Sequence, residues 1–531
     1  MGLFPDPIES RPVTALERAI ADPTPVPGIG TTSPVDGLER RSVGFVDVLA
    51  QSVSAVAPSA AATTIPLMVA VVAGGSTLWA VAVAMVLSLL IATTVNQFTR
   101  RFAATGSLYT YVSKGLGTST GFVAGTAMLI GYGFISMFAL AGAGYYVGIV
   151  LGRVWPGVTG NPVFTVALIG AMAVVVLVVI VRGIRLSTRV TLLIETVSVA
   201  IILTLIVVLL LQTGPTIDLT AFAVTGTTPA NFAVGAVLAV TAFVGFESAS
   251  TLGVEARRPY ASVPRALVWT VIAAGVLYLL ATYSQLVGFR ALGLDLTSSA
   301  SPVNELATAY GVEWMGLLLD LSIATSFVAC AIASTTALAR VLFAMGREGV
   351  VASAFGRTHR RFRTPYVAAV VGVAVVALVP MVASAAGSGL WETMQTLILI
   401  AAAGYITAYV LTCVAAPVFL HRIGELTPWV AVRAIAAAVL LAAGVVGYLV
   451  VEAASTRWFG VLVFVLLMGA GLVYSVVMRR RRPWVHGTIG VHDVPVAADV
   501  LGGPGFGGPA LGGPAPRGTP GPGSTPPSRG L

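Results

Sequence analysis

Long apolar runs recur along this chain, with only short polar stretches between them. Each has about 20 residues or more, the length with which an α-helix crosses the hydrocarbon core of a bilayer. Because every backbone polar group in lipid must be paired internally, such runs favour helices. The sequence therefore predicts an all-α integral membrane protein with about 12 transmembrane helices, called spans 1 to 12 below. The predicted spans are 45–73, 78–98, 120–151, 162–181, 189–212, 231–254, 266–290, 314–344, 365–386, 391–420, 428–451 and 457–478.

The distribution of charge predicts the orientation of these spans. Charged residues make up 10% of the chain, whereas a soluble protein carries about 25%. A net charge of +9 would suit nucleic-acid binding in a soluble domain, but here the basic residues fall in alternate loops, as the positive-inside rule requires. We therefore expect a multi-pass plasma-membrane protein with both termini cytoplasmic and no nucleic-acid partner. The basic loops are 99–118, 182–189, 255–265, 340–363 and 479–482.

Three segments follow from this pattern. Residues 1–41 are polar and Pro-rich and lack the apolar core of a cleavable signal, so we predict a cytoplasmic N-terminal tail. Residues 42–478 form the transmembrane domain, with spans 1–5 in 45–212, spans 6–10 in 231–420 and spans 11–12 in 428–478. Residues 479–531 begin with four arginines and become Gly/Pro-rich, which is typical of a disordered cytoplasmic tail.

Spans 1 and 6 each contain a residue that interrupts a helix. Pro58 in span 1 removes a backbone donor and disfavours helical geometry at Ala57. Span 6 contains Gly245, followed by the acid Glu247, and a carboxylate at this depth costs several kcal/mol unless it is compensated. Either break alone is more often a simple kink, because proline and glycine are frequent in membrane helices. Matched breaks five spans apart indicate an inverted repeat of the kind found in transporters.

The segment around Glu247 resembles a known family. Gly245-Phe246-Glu247, then Glu255, Pro259 and Pro264-Arg265, is similar to the sixth helix and following loop of the amino acid–polyamine–organocation permeases. Further similar segments are Arg100-Arg101-Phe102, Gly106 to Tyr111, Arg182 to Arg185 and Arg340 to Gly349. The resemblance covers residues 42–425. It implies a five-plus-five inverted-repeat (LeuT-type) fold with broken helices 1 and 6, a transporter domain at 42–478, and secondary active transport by alternating access.

The chain departs from this family at two positions. Many members have a glycine-rich break in helix 1, where this chain has Ala57-Pro58-Ser59-Ala60-Ala61. Some relatives carry a large aromatic gate at the position of Thr241, so Phe243, Phe246 or an aromatic residue from elsewhere would have to close the site. The substrate class is therefore less firmly implied than the fold.

The broken helices suggest how a substrate would bind. Half-helix N-termini present unpaired N–H groups that attract an anion, and half-helix C-termini present carbonyls that attract a cation, so the pair suits a zwitterion. The substrate carboxylate is predicted at Ala57, Pro58, Ser59, Ala60 and Ala61. Its ammonium group is predicted at the carbonyls of Phe243, Gly245 and Phe246, which also supply an aromatic wall. Tyr132 and Tyr405 would line or gate the pocket, or serve only as packing aromatics.

The coupling ion is a separate question. Glu247 would carry a proton or serve as a structural acceptor. Some members of the family that this chain resembles have a lysine in helix 5 that takes the place of a sodium ion. The only lysine here, Lys114, lies in a loop. A sodium site at Ser322, Thr325 and Ser326 is the alternative, since their spacing puts three hydroxyls on one helix face. Such hydroxyls also commonly bond backbone carbonyls in membrane helices, and proton coupling or exchange is preferred. Glu195 in span 5 is expected to pair with an arginine.

The resulting hypothesis is a permease for amino acids or related amines. Its alternatives are a polyamine or organocation carrier, a sodium-coupled symporter and, from another class, a non-transporting membrane sensor. No nucleophile–base pair is visible within the spans, so we do not expect an enzyme. Cys330 and Cys413 lie in apolar runs, and the histidines lack metal-ligand spacing, so neither a metal nor a cofactor is expected.

Overall fold

The computed structural model describes residues 33–158, 160–212, 218–224, 226–299 and 302–494. These residues form helices and connecting loops, with an isolated β-bridge between Val43 and Ala256. The expected all-α fold is therefore confirmed. The outer parts of both predicted tails, 1–32 and 495–531, lie outside the described residues.

The described residues contain sixteen α-helices, numbered in chain order. They are α1 (Phe45–Val56), α2 (Pro58–Ala73), α3 (Thr77–Thr99), α4 (Leu108–Leu116), α5 (Thr118–Gly152), α6 (Pro162–Val181), α7 (Ile184–Gln212), α8 (Pro229–Val240), α9 (Pro259–Ala291), α10 (Pro302–Ala309), α11 (Glu313–Arg347), α12 (Tyr366–Ala385), α13 (Leu390–Arg422), α14 (Pro428–Ala453), α15 (Trp458–Arg481) and α16 (Pro483–Gly487).

Eleven segments of the described chain are long and apolar enough to cross a membrane. The first, Phe45–Thr99, contains 55 residues and joins α1, α2 and α3. At 1.5 Å per residue a helix of this length would extend about 80 Å, against about 30 Å for the hydrocarbon core. Two crossings within this segment would bring the total to the expected twelve, which stays a prediction.

Span 1 breaks where the sequence indicates. Helix α1 ends at Val56, Ala57 takes a left-handed conformation with φ 51°, and α2 begins at Pro58. The fixed φ of proline suits the first position of a helix, while its ring disfavours helical geometry at the preceding residue. The sequence around Pro58 therefore determines both the end of one half-helix and the start of the next.

Span 6 also breaks, over a longer stretch. Helix α8 ends at Val240, Val244 is extended, and Gly245 has φ 101° before the 3₁₀ helix Phe246–Leu252. A Cβ atom at Gly245 would lie 2.8 Å from the carbonyl oxygen of Ala55. Both the positive φ and this close approach to α1 require glycine.

Replacing Gly245 with alanine is expected to destabilise the protein. Left-handed geometry alone costs a non-glycine residue about 1–2 kcal/mol, and the new methyl group would overlap the Ala55 carbonyl. The measurement is the thermal unfolding midpoint of the purified protein in detergent. Gly133→Ala is the matched control, because a Cβ atom at Gly133 in α5 meets nothing within 4 Å. Equal midpoints for the two variants would contradict the argument.

The centre of the molecule is built from long helices that approach closely at small residues. A Cβ atom at Gly404 in α13 would lie 2.8 Å from the backbone oxygen of Ala127 in α5. Such contacts let helix backbones pack tightly in a membrane. Apolar side chains on α14 and α15, such as Val439 and Leu466, are exposed, which suits a surface that faces lipid.

The basic loops come together on one side of the molecule, called the basic face below. Arg101 pairs with Glu425, Arg347 donates to the carbonyl of Pro34, and Thr364 donates to the carbonyl of Val181. The few arginines of the other loops are paired with acids, as in Arg153–Asp320, Arg290–Asp218 and Arg457–Glu452. Most arginines of the loops therefore lie on the basic face, and the three named in the other loops are ion-paired.

Candidate functional site

The two helix breaks lie against each other. Ser52 donates a hydrogen bond to the carbonyl of Phe246, and Ser248 donates one to the carbonyl of Gln51 at 3.1 Å. Together with the contact of Gly245 on Ala55, these bonds fasten α1 to the second half of span 6. The breaks predicted from Pro58 and Gly245 thus form one site.

A small cavity of about 50 Å³ lies at these breaks. Its lining is mostly apolar and includes no acidic or basic side chain. Spans 1 and 6, α5, α11 and α13 all contribute. The lining residues that matter below are Ala57, Ala60, Ala61, Val244, Ile135, Phe138, Phe327, Cys330 and Ile398.

The two half-helices bring opposite partial charges to the site. Helix α2 starts at Pro58, which has no N–H group, and the N–H of Ala61 donates to the carbonyl of Ala57 at 3.0 Å. The N–H groups of Ser59 and Ala60 are therefore left without a partner within the helix. The buried hydroxyl of Ser59 also has no hydrogen-bond partner among the described residues. On the other side, the carbonyl of Ala55 accepts a bond from the Cys330 thiol at 3.3 Å, and the carbonyl of Ala242 accepts one from Tyr278 at 3.0 Å. The arrangement offers donors for an anion beside carbonyls for a cation.

A second cavity lies beside the site, on the side away from the basic loops. A larger cavity of about 530 Å³ shares the lining residues Met68 and Ile398 with the small one, so the two adjoin. Its wall includes Asn231, Trp391 and Arg457, at helix ends remote from the basic face. The larger cavity therefore lies on the side of the breaks that is away from the basic face.

Glu247 lies in a group of tyrosines. Its side chain is fully buried, the hydroxyl of Tyr409 donates to Oε2, and Oε1 has no hydrogen-bond partner among the described residues. Tyr132 and Tyr405 pack edge to face at 5.3 Å between ring centroids, and Tyr405 lies 6.1 Å from Tyr409. The hydroxyls of Tyr132 and Tyr405 are buried and also lack a partner in the described part of the chain. Glu247 is thus a buried acid that accepts a hydrogen bond from Tyr409 and lies in the same buried group as Tyr132 and Tyr405.

Sequence reasoning missed Tyr409. A signal was present, because Tyr405 and Tyr409 are four residues apart on α13 and so share a helix face. The cavity residues Ile135, Phe138, Phe327 and Ile398 were missed as well. No sequence signal separates them from other apolar residues of the spans.

The predicted aromatic residues of span 6 have protein partners. Phe243 packs edge to face on Tyr278 at 5.1 Å, and Phe246 stacks on Tyr409 at 5.6 Å. Both rings are buried. Phe246 therefore links the helix break to the tyrosine that holds Glu247, while Phe138 and Phe327, also edge to face at 5.3 Å, supply the aromatic wall of the small cavity.

The three hydroxyls considered for sodium face α7. Ser322 donates to the carbonyl of Ser198 at 3.0 Å, and Thr325 lies 3.1 Å from the Ser198 hydroxyl. Ser326 donates to the carboxylate of Glu195 at 3.1 Å and 3.2 Å. Glu195 therefore bonds to a serine, and not to an arginine as expected from the sequence. Each hydroxyl already has a partner, which is the packing role that such residues often have in membrane helices.

Comparison with known proteins relates this geometry to a family. Residues 47–432 match the model of a family described as amino acid permease. The chain is 24% identical over 316 residues to the branched-chain amino acid permease BcaP of Bacillus subtilis (strain 168), covering 56% of this chain and 66% of that protein. It is 27% identical over 293 residues to the low-affinity putrescine importer PlaP of Escherichia coli (strain K12), covering 54% and 63%.

The match spans slightly less than two thirds of the length of these two relatives. Among solved structures, the chain is similar to MhsT in complex with L-phenylalanine, with a TM-score of 0.52, 15% identity, and coverage of 77% of this chain and 99% of MhsT. That likeness concerns the fold and agrees with a LeuT-type architecture, while the five-plus-five inverted repeat stays a prediction. The expectation that the chain is not an enzyme also agrees with a family of permeases. Since the family match extends over most of the sequence, this protein belongs to the amino acid permease family.

Proposed function

We propose that this protein is a secondary active permease for amino acids with apolar side chains, working by alternating access and coupled to protons. The observation that carries the proposal is the small cavity at the two helix breaks, which combines half-helix ends with an apolar wall. The amino acid's carboxylate would bind the first turn of α2 at Pro58 to Ala61, with the Ser59 hydroxyl. Its ammonium group would face carbonyls near Gly245.

The side chain of the substrate would enter the apolar part of the cavity. Ile135, Phe138, Phe327 and Ile398 offer no hydrogen bond to a polar side chain. A second ammonium group would meet no acid there, because no acidic side chain lines the small cavity. This argues against a polyamine as the main substrate, although one relative is named as a putrescine importer. The name of another relative, a branched-chain amino acid permease, agrees with the apolar wall.

Protons are the preferred coupling ion. A carboxylate buried without a basic partner is costly, and the cost disappears when the group is protonated. Glu247 is therefore suited to carry the coupled proton: it would take up the proton while it is buried and lose it when a change of access admits water. Ser322, Thr325 and Ser326 would coordinate sodium only after losing their bonds to α7.

We further propose twelve crossings of the plasma membrane, with the basic face and both termini cytoplasmic.

Uptake into liposomes tests this function. Purified protein would be supplied with labelled leucine, phenylalanine, glutamate or putrescine, under a proton gradient, a sodium gradient, or unlabelled substrate inside. We expect leucine or phenylalanine uptake under the proton gradient. Putrescine uptake alone would favour the amine carrier, and uptake under the sodium gradient alone would favour the sodium symporter. Absence of all transport by folded protein would favour the sensor.

Filling the cavity is expected to change its selectivity. Ala60→Val adds two methyl groups to a wall residue that is 2% exposed, and the cavity measures about 50 Å³. We expect uptake of leucine and phenylalanine to fall at least tenfold, equivalent to about 1.4 kcal/mol, while alanine uptake changes little. Uptake of each amino acid at several concentrations measures the effect, with alanine as the internal control. A uniform loss for all three would place Ala60 outside the side-chain pocket.

A further inference from the structure

Residues 488–494 follow α16 and run back across the basic face; they are called the closing segment below. They form no helix, yet they bond to several distant parts of the chain. At the end of α11, Glu348 Oε1 accepts the N–H groups of Gly490 and Val491 at 2.8 Å and 2.7 Å. In the loop before α4, the Ala103 carbonyl accepts the N–H of Asp493 at 2.8 Å. The closing segment therefore joins the ends of α3, α4 and α11.

Asp493 also binds residues 33–43, which precede span 1 and are called the N-terminal segment below. It accepts a hydrogen bond from the Ser33 hydroxyl at 2.8 Å and forms ion pairs with Arg40 and Arg41 at 3.0 Å each. Its side chain is 1% exposed. Arg41 in turn donates to the carbonyl of Gly253 at 3.2 Å. One buried carboxylate thus holds two arginines that precede span 1 against the end of span 6.

The N-terminal segment covers the end of span 6 through its own backbone. The N–H of Ser42 donates to the carbonyl of Glu255 at 2.7 Å, and the N–H of Arg257 donates to the carbonyl of Val43 at 2.9 Å. A separate apolar cluster fills the space beneath. It contains Val35, Leu38, Val254 and Phe343, with Val491 of the closing segment packed against it.

These contacts lie where the permease would have to open. The larger cavity lies on the opposite side of the site, so release toward the basic face would require the ends of spans 1 and 6 to separate from α4 and α11. The closing segment is bonded to the N-terminal segment, which covers the end of span 6, and also to the ends of α4 and α11. We propose that the closing segment is a latch that keeps the basic face shut, and that Asp493 leaves Arg40 and Arg41 in each transport cycle. The latch rests on the alternating-access function proposed above.

The surroundings of Glu348 support a pH dependence of the latch. Burial raises the pKa of Glu348 from 4.5 to about 7, despite the hydrogen bonds from Tyr109, Gly490 and Val491 and the charge of Lys114. When the latch is released, the carboxyl group regains water and its pKa falls toward 4.5. At Glu348 the latched state therefore binds a proton more tightly, so this group favours the latch as the pH is lowered from about 7 to about 4.5. His492 of the closing segment acts in the opposite direction, because burial and the charge of Lys114 lower its pKa in the latched state.

Thiol labelling tests the latch without requiring transport. A reporter cysteine replaces Ala256, which is fully buried beneath the N-terminal segment, while the native Cys330 and Cys413 are buried elsewhere. Asp493→Ala removes the ion pairs. Gly490→Val would separately displace the segment, because Gly490 has φ 101° and its Cβ atom would lie 2.1 Å from the Ser113 hydroxyl. We expect each variant to raise the maleimide labelling rate at least fivefold in the full-length protein in detergent.

The labelling experiment has a matched control on the same face. Glu425→Ala removes the ion pair with Arg101, in which the Glu425 side chain is 56% exposed, and should leave the labelling rate unchanged. In a His492→Asn background, which removes the opposing titration of His492, we also expect the rate to fall as the pH is lowered from about 7 to about 5.5, after correction with a free thiol standard, and adding Glu348→Gln should remove that dependence. Unchanged labelling in both Asp493→Ala and Gly490→Val would overturn the latch.

Cross-linking tests whether the latch must open during transport. Cysteines would replace Ser33 and Asp493, whose side-chain oxygens are 2.8 Å apart. Oxidation to the disulfide should reduce amino acid uptake at least tenfold, and reduction should restore it, so the same sample is its own control. Full uptake by the oxidised, cross-linked protein would overturn the proposal. Failure of the unaltered chain to transport any substrate would instead refute the permease function, whereas the labelling result would still report on the closed face.

Discussion

Glu247→Gln is expected to abolish proton-driven uptake while leaving a folded protein that still binds substrate. Glutamine has nearly the shape of the protonated acid and can accept the hydrogen bond from Tyr409, but it cannot release a proton. Gradient-driven uptake should therefore fall to the level of empty liposomes. The measurement is uptake under an imposed proton gradient, together with binding of the same substrate to detergent-solubilised protein.

Two tyrosine variants serve as a matched pair for this test. Tyr409→Phe removes the donor to Glu247, whereas Tyr405→Phe removes a buried hydroxyl that has no partner among the described residues. Because a hydrogen bond to a carboxylate favours its charged form, Tyr409→Phe should move the pH dependence of uptake to higher pH. Tyr405→Phe should leave it in place. Uptake by Glu247→Gln equal to that of the unaltered chain at every pH would exclude Glu247 from coupling.

Breaking the ion pair between Arg340 and Glu255 is expected to have the largest effect on stability. The pair is bidentate, with distances of 2.8 Å and 2.9 Å, and the two side chains are 2% and 1% exposed. Removing one partner of a buried pair leaves an uncompensated charge and costs about 3–5 kcal/mol. We expect Arg340→Met or Glu255→Gln to lower the thermal unfolding midpoint in detergent accordingly.

The double variant separates the ion pair from general disruption. Replacing both partners with apolar residues, as in Arg340→Met with Glu255→Leu, leaves no unpaired charge and is often close to neutral. Its unfolding midpoint should lie above that of Arg340→Met alone. A lower midpoint for the double variant than for either single variant would show that the charges themselves are not what stabilises this contact between α11 and the end of span 6.

Glu255 connects three parts of the structure, because its backbone and its side chain bond to different elements. Its backbone carbonyl accepts the N–H groups of Ser42 and Val43, which enter span 1. The side chain thus ties α11 to the end of span 6, and its backbone ties the end of span 6 to the start of span 1. Loss of the pair would loosen the same face that the closing segment covers.

The amino-acid sequence by itself determined the class of the protein and the places where its helices break. Hydrophobic length predicts a membrane helix because lipid leaves the backbone no other partner. Pro58 and Gly245 act on the dihedral angles of their own residues or immediate neighbours, and the structure has the left-handed Ala57 and Gly245 at those places. Glu247 could be singled out because an acid in an apolar run is rare enough to stand out.

Only the tertiary structure decided what surrounds these features. Ile135, Phe138, Phe327 and Ile398 meet at the cavity from three different helices, and an apolar side chain in a membrane helix has the same local pattern whether it faces lipid, a neighbour or a substrate. Ser326 and Glu195 likewise find each other across 131 residues of sequence. Local backbone chemistry fixes where a helix breaks, whereas the partner of a side chain depends on how distant helices pack.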